Sequence, residues 1–248
     1  MKLLVLGGTK NLGRHVVETA LAAGHDVTLF NRGRTNPELF PGVHRLTGDR
    51  AAPDVLAGGE WDGVIDLSGF LVRDVSLSAA VLRDRCAHYT YMSSIAVYAS
   101  KTHRGMTESA PLLPWPAGAP EDEFTMDLYG PSKVRCESLL SATFGDRTAA
   151  VRSGFVVGSY NPDFGNWGWA LAHGGSMECA ARPEQPVQYI DARDLANFLP
   201  HDGSNDGTFQ LDNSRALAAG LRLRPGVEVA RDYIAWLRAG NIPPEPPH

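Results

Sequence analysis

The sequence contains few cysteines and no long apolar run. Its 248 residues include only three cysteines, Cys86, Cys136 and Cys179, which are far apart and form no C-x-x-C pair. This spacing argues against a disulfide scaffold or a zinc knuckle and fits a reducing compartment. The eight histidines show no metal-ligand spacing, so no metal site is expected. No stretch approaches ~18 consecutive apolar residues, which argues against a membrane span.

The chain also lacks an excess of positive charge. It carries 28 acidic and 23 basic side chains, for a net charge of −5. Nucleic-acid-binding surfaces usually show as a basic excess, so a nucleic-acid partner is disfavoured. The N-terminal apolar run Leu3–Leu6 is too short for a signal-peptide core. With 43% hydrophobic residues the chain can bury a large core, and a cytoplasmic globular protein is expected.

Short apolar runs alternate with amphipathic stretches over the first 160 residues. This alternation predicts an α/β fold, a Rossmann-like doubly wound parallel sheet with helices on both faces, because each parallel crossover needs a covering element. The predicted strands are Lys2–Leu6, Asp26–Phe30, Gly63–Leu67, His88–Ser94 and residues 149–157, and the predicted helices are Leu12–Ala23, Val75–Leu82 and Gly130–Thr143.

Two irregular segments indicate how the chain is divided. Residues 107–127 are proline-rich and acidic and predict a loop over a site, while residues 159–187 are rich in glycine and aromatic residues. Ligands of such sheets bind beyond the carboxyl ends of the strands, where these loops are expected. We therefore expect a dinucleotide-binding domain over 1–158 and a small, mixed substrate-binding region over 159–248, of which 188–210 returns to the Rossmann core.

The first strand is followed by the glycine-rich turn "GGTKNLG", residues 7–13. A dinucleotide site needs a sharp turn, close approach of the backbone to the pyrophosphate, and a helix N-terminus that faces the phosphate. Gly7 and Gly13 satisfy the pattern G-x-x-G-x-x-G, but Lys10 stands in place of the middle glycine. A glycine turn alone is a weak signal, and its position between a strand and an amphipathic helix strengthens it.

The end of the second strand, "LFNRGRT", bears on the choice of nucleotide. NAD-binding folds usually place an Asp or Glu here for the ribose 2′-OH, whereas this chain has Asn31 followed by Arg32 and Arg34. Arginine suits a 2′-phosphate, and Lys10 would add a second positive charge. These side chains could also be ordinary solvated charges. We favour NADP(H) over NAD(H) as the cofactor.

A candidate catalytic set follows the fourth predicted strand. Ser93 and Ser94 end that strand, and "YGPSK" places Tyr129 and Lys133 on one face of a helix. A phenol with a pKa near ~10 is a poor acid or base at neutral pH, and a nearby ammonium is expected to lower that pKa. Y-x-x-x-K alone is common and is often a surface pair, so the prediction depends on all three residues in this order.

Together these motifs resemble extended short-chain dehydrogenases/reductases, of the NAD-dependent epimerase/dehydratase family. The further matches are "GDR" (48–50), "DGVIDLSG" (62–69), "SSIAVY" (93–98) and "QYIDARDLANFL" (188–199). The turn with a basic residue resembles a subgroup that includes plant chloroplast stem-loop-binding proteins. The resemblance implies that Ser94 orients the substrate oxygen, Tyr129 transfers the proton, and Lys133 binds the nicotinamide ribose. The implied cofactor contacts are Gly7, Thr9, Lys10, Asn11, Leu12, Gly13, Asn31, Arg32, Arg34, Asp49, Arg50, Leu67, Ser68, Gly69, Tyr129 and Lys133.

The function expected from this resemblance is an NADP(H)-dependent oxidoreductase that acts at a secondary alcohol or ketone of a small or sugar-like substrate. One alternative is an NAD(P)-dependent epimerase or dehydratase of nucleotide sugars. Another is a non-enzyme, an NAD(P)-sensing or RNA-binding protein on the same fold. The C-terminal part departs from the family because it is shortened between Gln210 and Leu211, which leaves the substrate open. A homodimer is a further expectation, since related folds often pair through the tyrosine-bearing helix.

Overall fold

Six parallel strands form the central sheet of the protein. The computed structural model describes residues 1–100, 105–161, 189–199 and 214–241. The strands are β1 (Lys2–Leu6), β2 (Asp26–Asn31), β3 (His44–Thr47), β4 (Trp61–Asp66), β5 (Cys86–Met92) and β6 (Thr148–Val151). Their order, β3-β2-β1-β4-β5-β6, is that of a doubly wound Rossmann sheet. A separate pair, β7 (Phe155–Val157) and β8 (Tyr189–Asp191), forms a second small parallel sheet.

Helices cover both faces of the large sheet. They are α1 (Leu12–Ala22), α2 (Val72–Leu82), α3 (Tyr129–Phe144), α4 (Ala192–Phe198), α5 (Ser214–Ala218) and α6 (Gly226–Arg238). Because side chains alternate along a strand, Leu3 and Val5 pack with α1 and α4, whereas Leu4 and Leu6 pack with α2 and α3. The predicted fold class is therefore confirmed.

Most of the predicted elements match the structure to within three residues, but one strand was missed and one is wrong. β3 was not predicted, because "HRLT" is short and mostly polar and contributes no fully buried side chain. Residues 149–157 do not form one strand. The strand of the large sheet ends at Val151, and the backbone joins the second sheet at Phe155. Between them, the Arg152 side chain is bound to Glu137 and the Tyr98 hydroxyl.

Several predictions fall on parts of the chain outside the described residues. These include most of the irregular segment 159–187 and the shortened junction between Gln210 and Leu211. The division into domains at residue 158 stays a prediction. Among the described residues, Cys86 and Cys136 are buried free thiols, and no helix is both long and apolar enough to cross a bilayer.

A buried ion pair lies beneath the carboxyl edge of the sheet. Asp66, the last residue of β4, is fully buried and accepts two hydrogen bonds from Arg50, the Nη2–Oδ2 bond measuring 2.8 Å. The hydroxyl of Tyr89 donates to the same carboxylate at 2.8 Å, and the Ser68 amide donates at 3.1 Å. Arg50 also donates to the Ser78 hydroxyl of α2 at 2.7 Å. The ion pair and its partners therefore connect the β3–β4 loop, which carries Arg50, to strands β4 and β5 and to helix α2.

The charge state of Asp66 depends on these partners. Burial alone would raise the pKa of this carboxyl, but the Arg50 charge and the donated hydrogen bonds lower its pKa below the usual value. A carboxyl with a lowered pKa in the folded state stabilises the fold at pH values above its unfolded pKa of about 3.9. That contribution is lost progressively as the pH falls below this value.

We expect Asp66→Asn to destabilise the protein by about 3–5 kcal/mol at pH 7, because it leaves the Arg50 charge buried without its partner. Urea unfolding measures this change. In the same experiment the variant should lose less stability than wild type between pH 5 and pH 3, since its side chain at position 66 no longer titrates. A wild-type stability equal to that of the variant at pH 7 would contradict this account.

Candidate active site

The predicted site residues come from four strands that end at the same edge of the sheet. Leu6 lies beside Phe30 in the β1–β2 register and beside Asp66 in the β1–β4 register. Asp66 in turn lies beside Tyr91 of β5. The residues that follow these strands are therefore neighbours in space, namely Gly7, Asn31, Leu67, Ser68, Gly69, Ser93 and Ser94.

The glycine turn after β1 is compact because it lacks side chains. Gly7 and Gly8 both have positive φ angles, +113° and +95°, which side-chain-bearing residues rarely adopt. A Cβ on Gly13 would lie 2.9 Å from the Gly8 backbone, so the start of α1 touches the turn directly. This close contact is the one that a pyrophosphate-binding turn requires between helix and strand.

Asn11 supports the same interpretation. It precedes α1 with a φ angle of +48°, and its side chain makes no capping hydrogen bond. Its Oδ1 is buried and has no hydrogen-bond partner among the described residues. A buried amide oxygen without a partner is uncommon and indicates a polar group that a ligand could satisfy. Rotation of the amide would present its NH₂ group, a donor suited to phosphate, so the turn fits a dinucleotide.

The Asn31 side chain is held within the site. Its Nδ2 donates to the Gly7 carbonyl at 3.1 Å, and its Oδ1 accepts from the Gly33 amide at 3.0 Å. Arg45 Nη1, on β3, lies 3.4 Å from the same Oδ1. The sequence did not indicate Arg45, because its position beside Asn31 depends on the β2–β3 pairing. Asn36, in the loop after β2, also contacts the glycine turn, since its Nδ2 donates to the Thr9 carbonyl at 2.7 Å.

The remaining residues of the predicted nucleotide site differ in their surroundings. Lys10, Arg32 and Arg34 are exposed, and neither arginine forms an ion pair within the described part of the chain. Asp49 is also exposed, and its carboxylate accepts a hydrogen bond from the Ala51 amide in a local turn. The Arg50 side chain is bound to Asp66, so its implied contact with the cofactor stays a prediction. Leu12 is partly buried against the core on the α1 side of the sheet.

The turn after β4 links the glycine turn to the catalytic candidates. Ser68 Oγ donates to the Leu6 carbonyl at 3.2 Å, which places this turn beside Gly7. The Gly69 carbonyl accepts hydrogen bonds from the Tyr91 hydroxyl at 2.9 Å and from Lys133 Nζ at 2.8 Å. A Cβ on Gly69 would lie within 3 Å of the Tyr91 ring, so this position has room for glycine alone.

Ser94 and Tyr129 meet at the carboxyl edge of β5. Ser94 precedes a short 3-10 turn, Ile95–Val97, and its Oγ accepts a hydrogen bond from the Ala96 amide at 3.2 Å. The Ser94 hydroxyl is close enough to the Tyr129 phenol to affect its ionisation. Burial raises the pKa of the Tyr129 phenol, and the Ser94 hydroxyl acts in the opposite direction.

Lys133 does not act on Tyr129 as the sequence predicted. Its ammonium donates to the carbonyls of Gly69 and Met92, both at 2.8 Å, and lies 5.7 Å from the centroid of the Tyr129 ring. Burial lowers the pKa of Lys133 to about 8. The expected lowering of the phenol pKa is thus wrong for this arrangement, because burial dominates at Tyr129 and the ammonium is directed to the two carbonyls.

Gly130 sets how closely Tyr129 approaches Ser94, and the sequence argument missed this residue. A Cβ at Gly130 would clash with the Ala96 carbonyl oxygen and lie 2.8 Å from the Leu113 side chain. The start of α3 therefore packs directly on the backbone that follows Ser94. Glycine in the second position of "YGPSK" was visible in the sequence, but its close neighbour across the fold was not.

We expect Gly130→Ala to destabilise the protein by about 1–3 kcal/mol, because the added methyl group must displace backbone. It should also separate Tyr129 from Ser94. Urea unfolding measures the first effect, and the pH titration of the Tyr129 phenol measures the second. Gly58→Ala is the matched control, since a Cβ there meets nothing within 4 Å. Equal stability of the two variants would contradict the close contact.

Comparison with known proteins gives two relatives in sequence. No protein-family model matches the chain. A segment of 154 residues is 32% identical to the 2′-dehydrokanamycin reductase of Streptomyces kanamyceticus and covers 60% of this chain and 40% of that protein. A segment of 180 residues is 27% identical to chloroplast stem-loop binding protein of 41 kDa b of Arabidopsis thaliana, covering 65% of this chain and 44% of that one. The matched segments thus span less than half of either relative.

Solved structures share the fold at low identity. A UDP-N-acetylglucosamine 4-epimerase from Methanobrevibacter ruminantium M1 aligns with a TM-score of 0.78 and 15% identity, over 96% of this chain and 98% of that one. A UDP-glucose-4-epimerase from Stenotrophomonas maltophila, solved with NAD and formylated UDP-arabinopyranose, aligns with a TM-score of 0.74 and 17% identity, over 97% and 98%. The predicted Rossmann-like fold is thus shared with these solved structures.

Proposed function

We propose that the protein is an NADP(H)-dependent oxidoreductase that acts on a ketone or secondary alcohol of a small, sugar-like molecule. The proposal rests on the neighbouring side chains of Ser94 and Tyr129, which lie at the sheet edge that carries the glycine turn. The reductase among the sequence relatives supports a reduction. A bound reduced nicotinamide would supply the hydride for the carbonyl carbon.

Ser94 and Tyr129 would each have one role in the proposed reduction. Ser94 donates a hydrogen bond that orients the substrate oxygen toward Tyr129. As the carbonyl π electrons move onto oxygen, Tyr129 gives that oxygen its phenolic proton and is reprotonated from solvent. The raised pKa of Tyr129 suits this direction, because the phenol keeps its proton at neutral pH.

Lys133 would hold the nicotinamide ribose. An ammonium has three N–H donors, and the carbonyls of Gly69 and Met92 take two of them. The third N–H has no acceptor within the described residues and is available to a ribose hydroxyl. Because both carbonyls follow or end strands of the sheet, the ammonium is fixed relative to the glycine turn.

The surroundings of Asn31 support NADP(H) over NAD(H). The Asn31 side chain is neutral and is hydrogen-bonded to the backbone of Gly7 and Gly33. It stands where NAD-binding folds usually have a carboxylate for the ribose 2′-OH. Arg32 and Arg34 lie directly beyond it, exposed and without an ion pair within the described ranges. A 2′-phosphate would supply the anionic partner that these arginines lack.

Replacement of the proposed proton donor tests the reaction. With NADPH and a panel of ketones, the absorbance of reduced nicotinamide should fall with time. Tyr129→Phe should reduce kcat about 100-fold or more, because it removes the proton that neutralises the developing alkoxide. Its affinity for NADPH should be unchanged, as measured by cofactor fluorescence.

Tyr189→Phe, which removes a hydroxyl on the second sheet, is the control and should keep wild-type turnover. The absence of ketone-dependent oxidation in the wild type, or full activity in Tyr129→Phe, would refute the proposed oxidoreductase.

Charge removal at the ribose end tests the choice of cofactor. Arg32→Ala and Lys10→Gly should each weaken NADPH binding about tenfold, since each removes a charge from the 2′-phosphate site. Binding of NADH, which has no such phosphate, should stay within about twofold of wild type. Arg83→Ala, at the exposed end of α2 beside Asp84, should change neither affinity. An equal loss for both cofactors would argue against a 2′-phosphate site.

Two other functions have specific support. The solved neighbours are epimerases of UDP-sugars, which favours an NAD(P)-dependent epimerase or dehydratase as the second candidate. Product analysis after incubation with NAD⁺ and UDP-glucose would distinguish it, because epimerisation consumes no cofactor. The stem-loop-binding relative favours an RNA-binding protein, and a salt-dependent gel-shift assay would reveal it. The expected homodimer stays a prediction.

A further inference from the structure

Two phenylalanines border the Tyr129 ring. Phe70 follows Gly69 after β4, and Phe124 lies in the loop before α3. Their ring centroids are 5.5 Å apart, with the planes at 74°, and each centroid is 6.3 Å from that of Tyr129. The Phe124 plane stands at 86° to the Tyr129 ring. The three rings thus form a triangle in which Phe124 is nearly perpendicular to its two neighbours, and they enclose an apolar corner beside the proton donor.

Both phenylalanines remain exposed in spite of these contacts. Phe70 is 42% exposed and Phe124 is 44% exposed, whereas Tyr91 on the neighbouring strand is fully buried. A single exposed apolar side chain needs no explanation. Here, however, two rings from distant parts of the sequence converge on the predicted catalytic residue. A ligand that covered them would gain free energy in proportion to the apolar surface that it removed from water.

Phe70 also contacts the catalytic lysine. Its ring centroid lies 4.9 Å from Lys133 Nζ, a distance at which the ammonium is attracted to the aromatic ring. A change at Phe70 would therefore disturb Lys133 as well as the apolar corner. The Phe124 ring contacts only Phe70 and Tyr129 among the aromatic pairs of the described residues, so Phe124 is the better position for a test.

We propose that Phe70 and Phe124 form a platform for the C–H face of a saturated ring that carries the reacting carbon, so that the enzyme prefers cyclic ketones and alcohols to open-chain ones. The substrate class would be a sugar or another polyhydroxylated ring. The identity of the reacting carbon rests on the proposed function, whereas binding of the ring requires no turnover.

Ring geometry explains the preference. A saturated six-membered ring presents several C–H bonds on one face, which are complementary to the negative face of an aromatic ring. Its hydroxyl groups project from the rim and stay available for polar contacts. An open chain of the same size covers less of the corner and loses more rotational freedom when it binds.

Turnover of a matched pair of ketones tests the preference. Cyclohexanone and 2-hexanone each have six carbons and one carbonyl, and only the first is a ring. In the wild type kcat/KM should be higher for cyclohexanone. Phe124→Ala should lower kcat/KM for cyclohexanone about tenfold through KM, and should leave the value for 2-hexanone within about twofold. The KM for NADPH should not change.

Phe155→Ala is the control. Phe155 is 65% exposed on β7, in the second sheet, and its replacement should leave both ketones unaffected. An equal loss for the two ketones in Phe124→Ala, or the same loss in Phe155→Ala, would overturn the platform.

Binding without turnover separates this inference from the proposed reaction. Saturation transfer by NMR, with irradiation of the aromatic protons, should reach the ring protons of cyclohexanone equally in the wild type and in Phe155→Ala, and much more weakly in Phe124→Ala. If this pattern is observed without any oxidation of NADPH, the platform is supported and the proposed reaction is refuted. If wild type and Phe124→Ala give equal transfer, or the wild type gives none, the platform falls whatever the turnover.

Discussion

The ion pair between Arg50 and Asp66 fixes the edge of the sheet on which the candidate site depends. Asp66 is fully buried, and its carboxylate also accepts a hydrogen bond from the Ser68 amide. That bond shapes the turn that carries the Gly69 carbonyl, and this carbonyl in turn accepts a hydrogen bond from Lys133. A charge buried beneath the sheet edge therefore helps to determine where the Lys133 ammonium is held.

Burial, rather than the distance between charges, decides the acid–base properties of the site. Lys133 is desolvated between strands, which lowers its pKa to about 8, and Tyr129 is desolvated at the start of α3, which raises its pKa. The opposite pKa shifts give Tyr129 and Lys133 different protonation behaviour near neutral pH. The Tyr129 phenol keeps its proton at neutral pH, while the charge on Lys133 becomes sensitive to pH in the slightly alkaline range. For the proposed reaction, such an arrangement would favour reduction of a carbonyl over abstraction of a proton from an alcohol.

The sequence predicted the parts of the fold that depend on local pattern. The bounds of β1 and the start of α1 follow directly from an apolar run, a glycine turn and an amphipathic stretch. β3 was missed because strands at the sheet edge need fewer apolar residues, so the pairing that stabilises "HRLT" leaves little trace in its composition. The same limit applies to the candidate site. Tyr129 and Lys133 could be predicted from their spacing in the sequence, whereas Arg45 and Phe124 reach the site only through tertiary contacts.

A second buried ion pair links residues 149–157, which were predicted as a single strand, to the candidate site. Arg152 binds Glu137 of α3, with 2.7 Å between Nη2 and Oε2, and Glu137 accepts a hydrogen bond from Ser93. Glu137 lies one helical turn after Lys133, so the bond from Ser93 ties the end of β5 to the helix that carries Tyr129. Arg152 thus neutralises the carboxylate that Ser93 binds, and this network helps to position Ser94, the next residue after Ser93, near Tyr129.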